Sequence, residues 1–194
     1  MKIESGFSAT DSTLLAVVLG ALLATLGGFV ATQLESFFRR REREQNAALL
    51  FGELLSTLDI LLKAAGDARA IGEPFGMVTM RVLRAARREI DIYDRNRESL
   101  YDIRDAEIRA RIHTLIVRIT MPLDGVFDAT QELAALPVKG ASAETKARIG
   151  QVSIMRDTSF DFVLETADKI KPLVIDLRPM ARHSFDAHQK AASG

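Results

Sequence analysis

The feature that most constrains this chain is an uncharged run near its N-terminus, from Ser12 to Leu34. The run is 23 residues long and is bounded by Asp11 and Glu35. As an α-helix it would extend about 35 Å, which is enough to cross a hydrocarbon core of about 30 Å. Each of its large apolar residues favours insertion by about 0.3–0.6 kcal/mol. The sequence therefore predicts a transmembrane helix over residues 12–34, preceded by a short extracytoplasmic tail over residues 1–11.

Two other interpretations of the run are a cleaved signal peptide and a buried core helix. The run is longer than the apolar region of a signal peptide, and its basic cluster follows the run instead of preceding it. The same length argues against a core helix. An uncleaved anchor is the favoured interpretation, with Ser8 and Asp11 spaced as a capping box at its start.

The charges on either side of the run predict its orientation. Arg39, Arg40, Arg41 and Arg43 follow it in a basic juxtamembrane segment, residues 35–44, whereas Lys2 is the one basic side chain before it. Positive residues stay on the cytoplasmic side of a membrane and meet lipid headgroups there. We therefore expect a bacterial inner (plasma) membrane protein with its N-terminus outside and its C-terminal domain in the cytoplasm.

Small residues recur at every fourth position of the predicted membrane helix. Such a stripe allows a second helix to approach closely, so it predicts self-association or a partner transmembrane helix. The alternative is that small residues are simply common in membrane helices. The stripe consists of Ser12, Ala16, Gly20, Ala24, Gly28 and Thr32.

The rest of the chain has a helical period throughout and no convincing strand pair. With 47% hydrophobic residues, it can form a core. We expect an all-α fold, in which the N-terminal transmembrane helix precedes an antiparallel helical bundle, or coiled-coil-like hairpins, over residues 45–188. Residues 189–194 are expected to be a disordered tail.

Apolar stripes and breaks predict four helices in this region, followed by a short last helix with Leu173, Leu177 and Met180. The first covers residues 44–70 and is compatible with direct continuation from the membrane helix. The second covers residues 77–100. Asp105 is expected to cap the third helix, and Pro122 is expected to kink or break it. Ser142 is expected to cap the fourth helix, and Pro172 is expected to end or bend it. The residues expected to face the core include Leu54, Leu58, Leu83, Ala86, Ile90, Tyr93, Ile112, Ile119, Val152 and Phe160.

Composition excludes several functions. Basic and acidic side chains number 26 each, so the chain lacks the positive excess of a general nucleic-acid binder. It has no cysteine, which excludes disulfides, thiolate metal sites and a cysteine nucleophile. Nucleic acid is therefore an unlikely partner.

Two charged rows are candidate binding sites. Arg81, Arg84, Arg88 and Arg95 follow the second helix, but acidic residues alternate with them, so we expect a solvated, salt-bridged face. Asp157, Asp161, Glu165 and Asp168 line one face of the fourth helix. Carboxylates suit Mg²⁺, but the second acidic motif of an all-α nucleotide pyrophosphohydrolase is missing. A solvent face, or contact with arginines of the second helix, is the favoured interpretation.

One enzymatic alternative rests on the C-terminal histidines. Arg178 and Arg182 precede His183 and His188 at spacings of five and six residues. This resembles the loose Arg-to-His spacing of the all-α HEPN ribonucleases, which implies metal-independent RNA cleavage. Pro179 departs from that pattern, and those nucleases are usually not membrane-anchored.

The sequence as a whole favours a non-catalytic protein with no metal, cofactor or cofactor-binding residue. We expect a scaffold, regulator or accessory subunit of a membrane complex. Its expected partners are the lipid bilayer, a second copy or a partner transmembrane helix, and an unidentified protein. With the opposite topology, an envelope or phage-lysis role is the alternative.

Overall fold

The computed structural model of the chain describes residues 9–72, 74–137 and 142–181, with side chains given for Val17 and from Leu19 onward. Every regular element in these residues is a helix, and none of them forms a strand. The expected all-α class is therefore confirmed.

The first helix, α1, runs from Ala9 to Ile71 without interruption. Its continuity follows from the sequence, because the first proline of the chain is Pro74. The chain divides inside α1 into two compact units, Met1–Glu42 and Arg43–Gly194. Among the described residues, no helix has an apolar stretch long enough to cross a membrane.

The second unit contains the remaining elements. Helix α2 covers Met77–Arg95 and α3 covers Ala106–Ala135, with a 3-10 helix at Arg97–Asp102 between them. Helix α4 covers Ala143–Ala167, and the short α5 covers Ile170–Leu177. A final 3-10 turn occupies Arg178–Met180.

Side chains along α1, α2, α3 and α4 join them into an antiparallel four-helix bundle. Phe51 of α1 packs edge-on against Tyr93 of α2, with the ring centroids 5.9 Å apart. Arg87 of α2 pairs with Asp124 of α3. Gly125 of α3 and Gly66 of α1 each lie against α4, at Ser159 and Leu164 respectively. The prediction of a helical bundle is confirmed.

The periodic apolar positions form its core. The ten residues named above as facing the core are all buried, as are their neighbours Phe51, Leu55 and Leu62. Leu50, Leu61, Leu133 and Ile149, also on the apolar stripes, are half-buried. This burial provides most of the stability of such a bundle.

Two helix ends differ from the prediction, and of the kink or break expected at Pro122 the break is absent. Helix α2 ends at Arg95 and not near residue 100, because Asn96 closes it with its backbone N–H and with a 2.8 Å side-chain bond to the carbonyl of Ile92. Pro122 does not break α3. The fourth helix ends at Ala167, before Pro172, which lies in the first turn of α5, where a missing N–H costs little.

The predicted N-caps Asp105 and Ser142 are confirmed, whereas Ser8 of the predicted capping box lies outside the described residues. The Asp105 carboxylate accepts hydrogen bonds from the backbone N–H groups of Glu107 and Ile108, at 2.8 and 3.1 Å. The Ser142 hydroxyl accepts one from the N–H of Thr145 at 3.1 Å. These bonds satisfy amides that the first turn of a helix leaves without partners.

Candidate functional site

The predicted small-residue stripe lies on α1 with open space beside it. A Cβ atom added at Gly20 or Gly28 would meet no atom within 4 Å. The Thr32 hydroxyl donates a 2.9 Å hydrogen bond to the carbonyl of Gly28, and Ala24 is exposed. Ser12 and Ala16 belong to α1, but their side chains lie outside the described part of the chain.

The four arginines predicted to follow a membrane helix differ in their contacts. Arg39 pairs with Glu35 one turn earlier on α1. Arg43 lies 4.0 Å from the Asp102 carboxylate. Arg40 and Arg41 are exposed and form no ion pair with any residue that the structure describes.

The histidines of the nuclease alternative cannot be placed. Arg182, His183 and His188 lie outside the described residues. The structure therefore does not test whether the arginine and histidine side chains of the predicted motif lie close together. Arg178 begins the final 3-10 turn. The remaining histidine, His113, is half-buried on α3.

His113 forms a polar pair inside the bundle with Tyr93. The Tyr93 hydroxyl lies 2.9 Å from His113 Nδ1, and the two rings stack with centroids 6.4 Å apart. Burial raises the pKa of Tyr93 above its ordinary value of 10.0, while the charge of Arg97 opposes that rise. Tyr93 therefore keeps its proton at neutral pH and joins α2 to α3.

Arg69 of α1 meets the first two carboxylates of the predicted acidic row. Its guanidinium pairs with Asp161 and lies 3.7 Å from Asp157. It also lies over the rings of Phe160 and Phe75, 5.1 and 5.7 Å from their centroids. Of the two interpretations of this row, the solvent face agrees with Asp157 and Asp161, whose side chains are 44 and 64% exposed. Contact with arginines of the second helix is not found for either carboxylate among the described residues, because their partner comes from α1.

The arginine row on α2 is exposed, as expected, but the expected salt bridges are not found within the described part of the chain. Arg81, Arg84, Arg88 and Arg95 form no ion pair among the described residues. The ion pairs of α2 belong to Arg87, which contacts Asp91 and Asp124. Repulsion within the row is relieved by solvent, and the acidic neighbours dilute its field.

An open groove of about 550 Å³ runs between α3 on one side and α4 with α5 on the other. Its floor is apolar and includes Leu115 and Leu173. Charged side chains stand on both rims. Those on α3 are Glu107, Arg111 and Arg118, and those on the opposite rim are Glu165, Asp168 and Lys169.

The groove continues past Arg118 along the same pair of helices. Arg118 also borders the next depression, together with Val117, Met121 and Phe162. Its guanidinium lies 5.4 Å from the centroid of the Phe162 ring. Met121 is 71% exposed, so it presents apolar surface to solvent beside this depression. We refer to the two depressions together as the α3–α4 groove.

The sequence predicts only part of this groove. Glu165 and Asp168 are recognisable as a row, but the α3 rim was missed. Arg111 and Arg118 are seven residues apart, a spacing that places both on one helix face. This spacing can be recognised in the sequence, whereas the packing of α3 against α4 cannot.

No group of three or more residues in the described part of the chain is arranged to hold a metal ion. Comparison with known protein families, curated proteins and solved structures finds no match.

Proposed function

We propose that this chain is a single-pass membrane-anchored protein that acts without catalysis, as a scaffold, regulator or accessory subunit of a membrane complex. The observation that carries the proposal is the 23-residue uncharged run from Ser12 to Leu34, followed by Arg39, Arg40, Arg41 and Arg43. A run of this length and composition is typical of a helix that spans a bilayer.

Exposed apolar side chains on α1 support the anchor. Val17, Leu23 and Phe29 are 65, 67 and 63% exposed, and other large apolar residues between Leu19 and Phe38 are at least half exposed. A contiguous apolar surface of this kind is costly in water and favourable in lipid. Residues 12–16 and 18 extend the same uncharged run toward the N-terminus.

The orientation is tested with paired fusions at the C-terminus of the full chain. We expect a fluorescent protein to be active and alkaline phosphatase to be inactive, because the arginines keep the bundle in the cytoplasm. A control variant replaces the four arginines by Gln and adds four lysines before Ser12, and its topology should reverse. Phosphatase activity in the natural sequence would contradict the orientation and favour an envelope role.

The anchor itself is tested separately by extraction of membranes with alkaline carbonate. An inserted helix stays with the lipid, whereas a protein held at the surface by charge is released. Recovery of the full chain in the soluble fraction would overturn the anchor, whatever the fusions report.

The role through helix contacts is supported by the open stripe on α1. Gly20→Leu together with Gly28→Leu fills that stripe, so self-association in a membrane reporter assay should be lost. Leu22→Phe with Leu26→Phe adds bulk on the opposite face and should leave the signal unchanged. Equal signals from both double variants would contradict the stripe as a contact surface.

A further inference from the structure

We propose that Arg40 and Arg41, together with Phe37, bind an anionic phospholipid at the cytoplasmic end of the predicted membrane helix. The two guanidinium groups hold the headgroup phosphate, and Phe37 packs beside the acyl chain. The inference rests on the membrane anchor proposed above and deepens it, because it names the class of lipid and the residues that select it.

The first observation concerns the ion pairs of the four arginines that follow the uncharged run. Arg39 pairs with Glu35, and Arg43 lies 4.0 Å from a carboxylate of the 3-10 helix after α2. Arg40 and Arg41 are exposed and form no ion pair with any residue that the structure describes. Their charges are therefore available to an external anion, and a guanidinium suits a phosphate because it can donate two parallel hydrogen bonds.

The second observation is that α1 separates its charges onto two faces in this segment. Residues three and four positions apart share one face of a helix, so Arg40 and Arg41 flank Phe37. Successive residues are turned by about 100°, which places the exposed carboxylates Glu35 and Glu42 on the opposite face. An anion can thus approach the two arginines from the side of Phe37, away from both carboxylates.

The nearest carboxylate on the Phe37 face already has a partner. Glu44 accepts a 3.1 Å hydrogen bond from the backbone N–H of Arg104, and its other oxygen lies 3.3 Å from Nε of the same residue. Its side chain is only 16% exposed. Glu44 therefore does not compete with an anion for Arg40 and Arg41.

The third observation is the depth at which the two arginines would lie. Leu34 ends the uncharged run, and Arg40 and Arg41 follow it by six and seven residues. That distance is about 9–10 Å along a helix, whereas a headgroup layer is about 5–7 Å thick. An arginine side chain can direct its guanidinium back toward the membrane along its apolar stem. With Leu34 at the edge of the hydrocarbon core, both guanidinium groups reach the phosphates.

An apolar strip leading to the two arginines commits the site to a lipid. Val30 and Leu34 precede Phe37 by seven and three residues, so they lie on its face. All three side chains are at least half exposed. A molecule with an acyl chain and a phosphate can cover this strip and reach Arg40 and Arg41 at the same time. A free phosphate would leave the strip exposed.

The charges on this face favour an anionic headgroup over a zwitterionic one. The ammonium group of a zwitterionic lipid would need a carboxylate beside the arginines, and the nearest one is paired with Arg104. Two unpaired guanidinium groups instead favour a headgroup with a net negative charge. Gly28 and Thr32 of the small-residue stripe lie on the other side of α1, so a lipid bound here leaves the proposed helix contact open.

The test titrates the purified full chain in a neutral detergent with phosphatidylglycerol and counts the bound lipid by native mass spectrometry. Phosphatidylglycerol should bind more tightly than phosphatidylcholine, which has the same phosphate and an added cationic group. A basic residue near anionic lipid strengthens binding about fivefold, so Arg40→Gln with Arg41→Gln should weaken phosphatidylglycerol binding about thirtyfold. Glycerol 1-phosphate, which has no acyl chain, should not displace the lipid.

Arg39→Gln together with Arg43→Gln is the matched control. It removes the same net charge, but from arginines that already have carboxylate neighbours. Its affinity for phosphatidylglycerol should stay within about twofold of the natural value. All four side chains are exposed, so both double variants should keep the natural helix content in circular dichroism.

Three results would overturn the lipid site: equal weakening in both double variants, equal affinity for the two lipids, or displacement by glycerol 1-phosphate. Extraction with alkaline carbonate tests the anchor on the same proteins. The Arg40→Gln, Arg41→Gln variant should stay with the membrane, because its uncharged run is intact. Retention of this variant with an unchanged lipid preference would refute the lipid site and leave the anchor standing. Release of the natural chain would overturn the anchor and this inference with it.

Discussion

Arg69 shows how one side chain stabilises the bundle through several weak contacts. It pairs with Asp157 and Asp161 and lies over Phe160 and Phe75. Each contact contributes little, since exposed ion pairs stabilise by at most about 1 kcal/mol and a cation–π contact by about 0.5–1 kcal/mol. Together they connect the C-terminal end of α1 to α4, although 92 positions separate Arg69 from Asp161.

We therefore expect Arg69→Ala to lower the free energy of unfolding by about 1–2 kcal/mol. Arg69→Lys keeps the charge but not the planar stack, so its loss should be intermediate. Denaturant titration of the full chain in detergent, followed by circular dichroism, measures both. Arg84→Ala removes an exposed arginine that has no ion pair among the described residues, and it should change stability by less than about 0.5 kcal/mol. An equal effect of Arg69→Ala and Arg84→Ala would contradict the role of these contacts.

Tyr93 makes stability depend on pH. Its burial raises the pKa of the hydroxyl above 10.0. As pH rises past the ordinary value, the unfolded chain releases this proton while the folded chain retains it. Ionisation then favours the unfolded state, so the stability that Tyr93 contributes is complete below about pH 10 and declines above it.

Tyr93→Phe should cost about 1 kcal/mol near neutral pH, because the bond to His113 is lost. The gap in unfolding free energy between the natural chain and this variant should then narrow as pH rises above about 10. Thermal or denaturant unfolding at neutral and alkaline pH measures the gap. Tyr101→Phe is the control, since Tyr101 is 77% exposed. A gap that stays constant across this range would show that Tyr93 does not titrate with unfolding.

At the scale of the helix, the Asp105 cap determines where α3 begins. Its carboxylate satisfies two backbone amides of the first turn. Asp105→Ala should lower the free energy of unfolding by about 1 kcal/mol, whereas Asp105→Asn, which still accepts a hydrogen bond, should cost only a few tenths. Circular dichroism during denaturant unfolding separates the two. Equal losses in both variants would mean that the negative charge, and not the capping bond, provides the stabilisation.

The same helices show what the sequence can and cannot predict. Leu83, Ala86, Ile90 and Tyr93 are predictable as core residues because burial follows the helical period, which is a local property. The predicted end of α2 lies about five residues too late. The hydrogen bond from the Asn96 side chain to the carbonyl of Ile92 ends the helix, although the residues that follow have a weak preference for helix. Caps and periods are encoded within a few positions, so most elements can be found from the sequence.

Contacts between helices are far less predictable. The partner of Asp157 and Asp161 is Arg69, a residue of another helix that no local pattern connects to them. The α3–α4 groove exists only because these two helices are neighbours, and their spacing along the chain leaves that pairing open. The spacing of rim residues such as Arg118 along α3 can therefore be recognised in the sequence. The residues that face them across the groove cannot.

At the scale of the whole molecule, the core is confined to one of the two units. Every buried hydrophobic residue in the described part of the chain lies between Ala47 and Leu177. The unit Arg43–Gly194 therefore contains a complete core, and the exposed apolar residues from Val17 to Phe38 belong to the other unit. We therefore expect one segment, residues 43–194, to contain what is needed for folding, and the preceding segment to contain the proposed membrane anchor.

A fragment of residues 43–194 tests this separation. We expect it to unfold cooperatively, with a Tm within about 5 °C of the full chain, because no core contact has been removed. A shorter fragment, residues 60–194, lacks Phe51, Leu55 and Leu58 and should lose cooperative unfolding. If residues 12–34 anchor the protein, the longer fragment should also stay in the supernatant when membranes are sedimented, while the full chain pellets. A fragment 43–194 that folds yet still pellets would mean that the bundle itself binds the membrane.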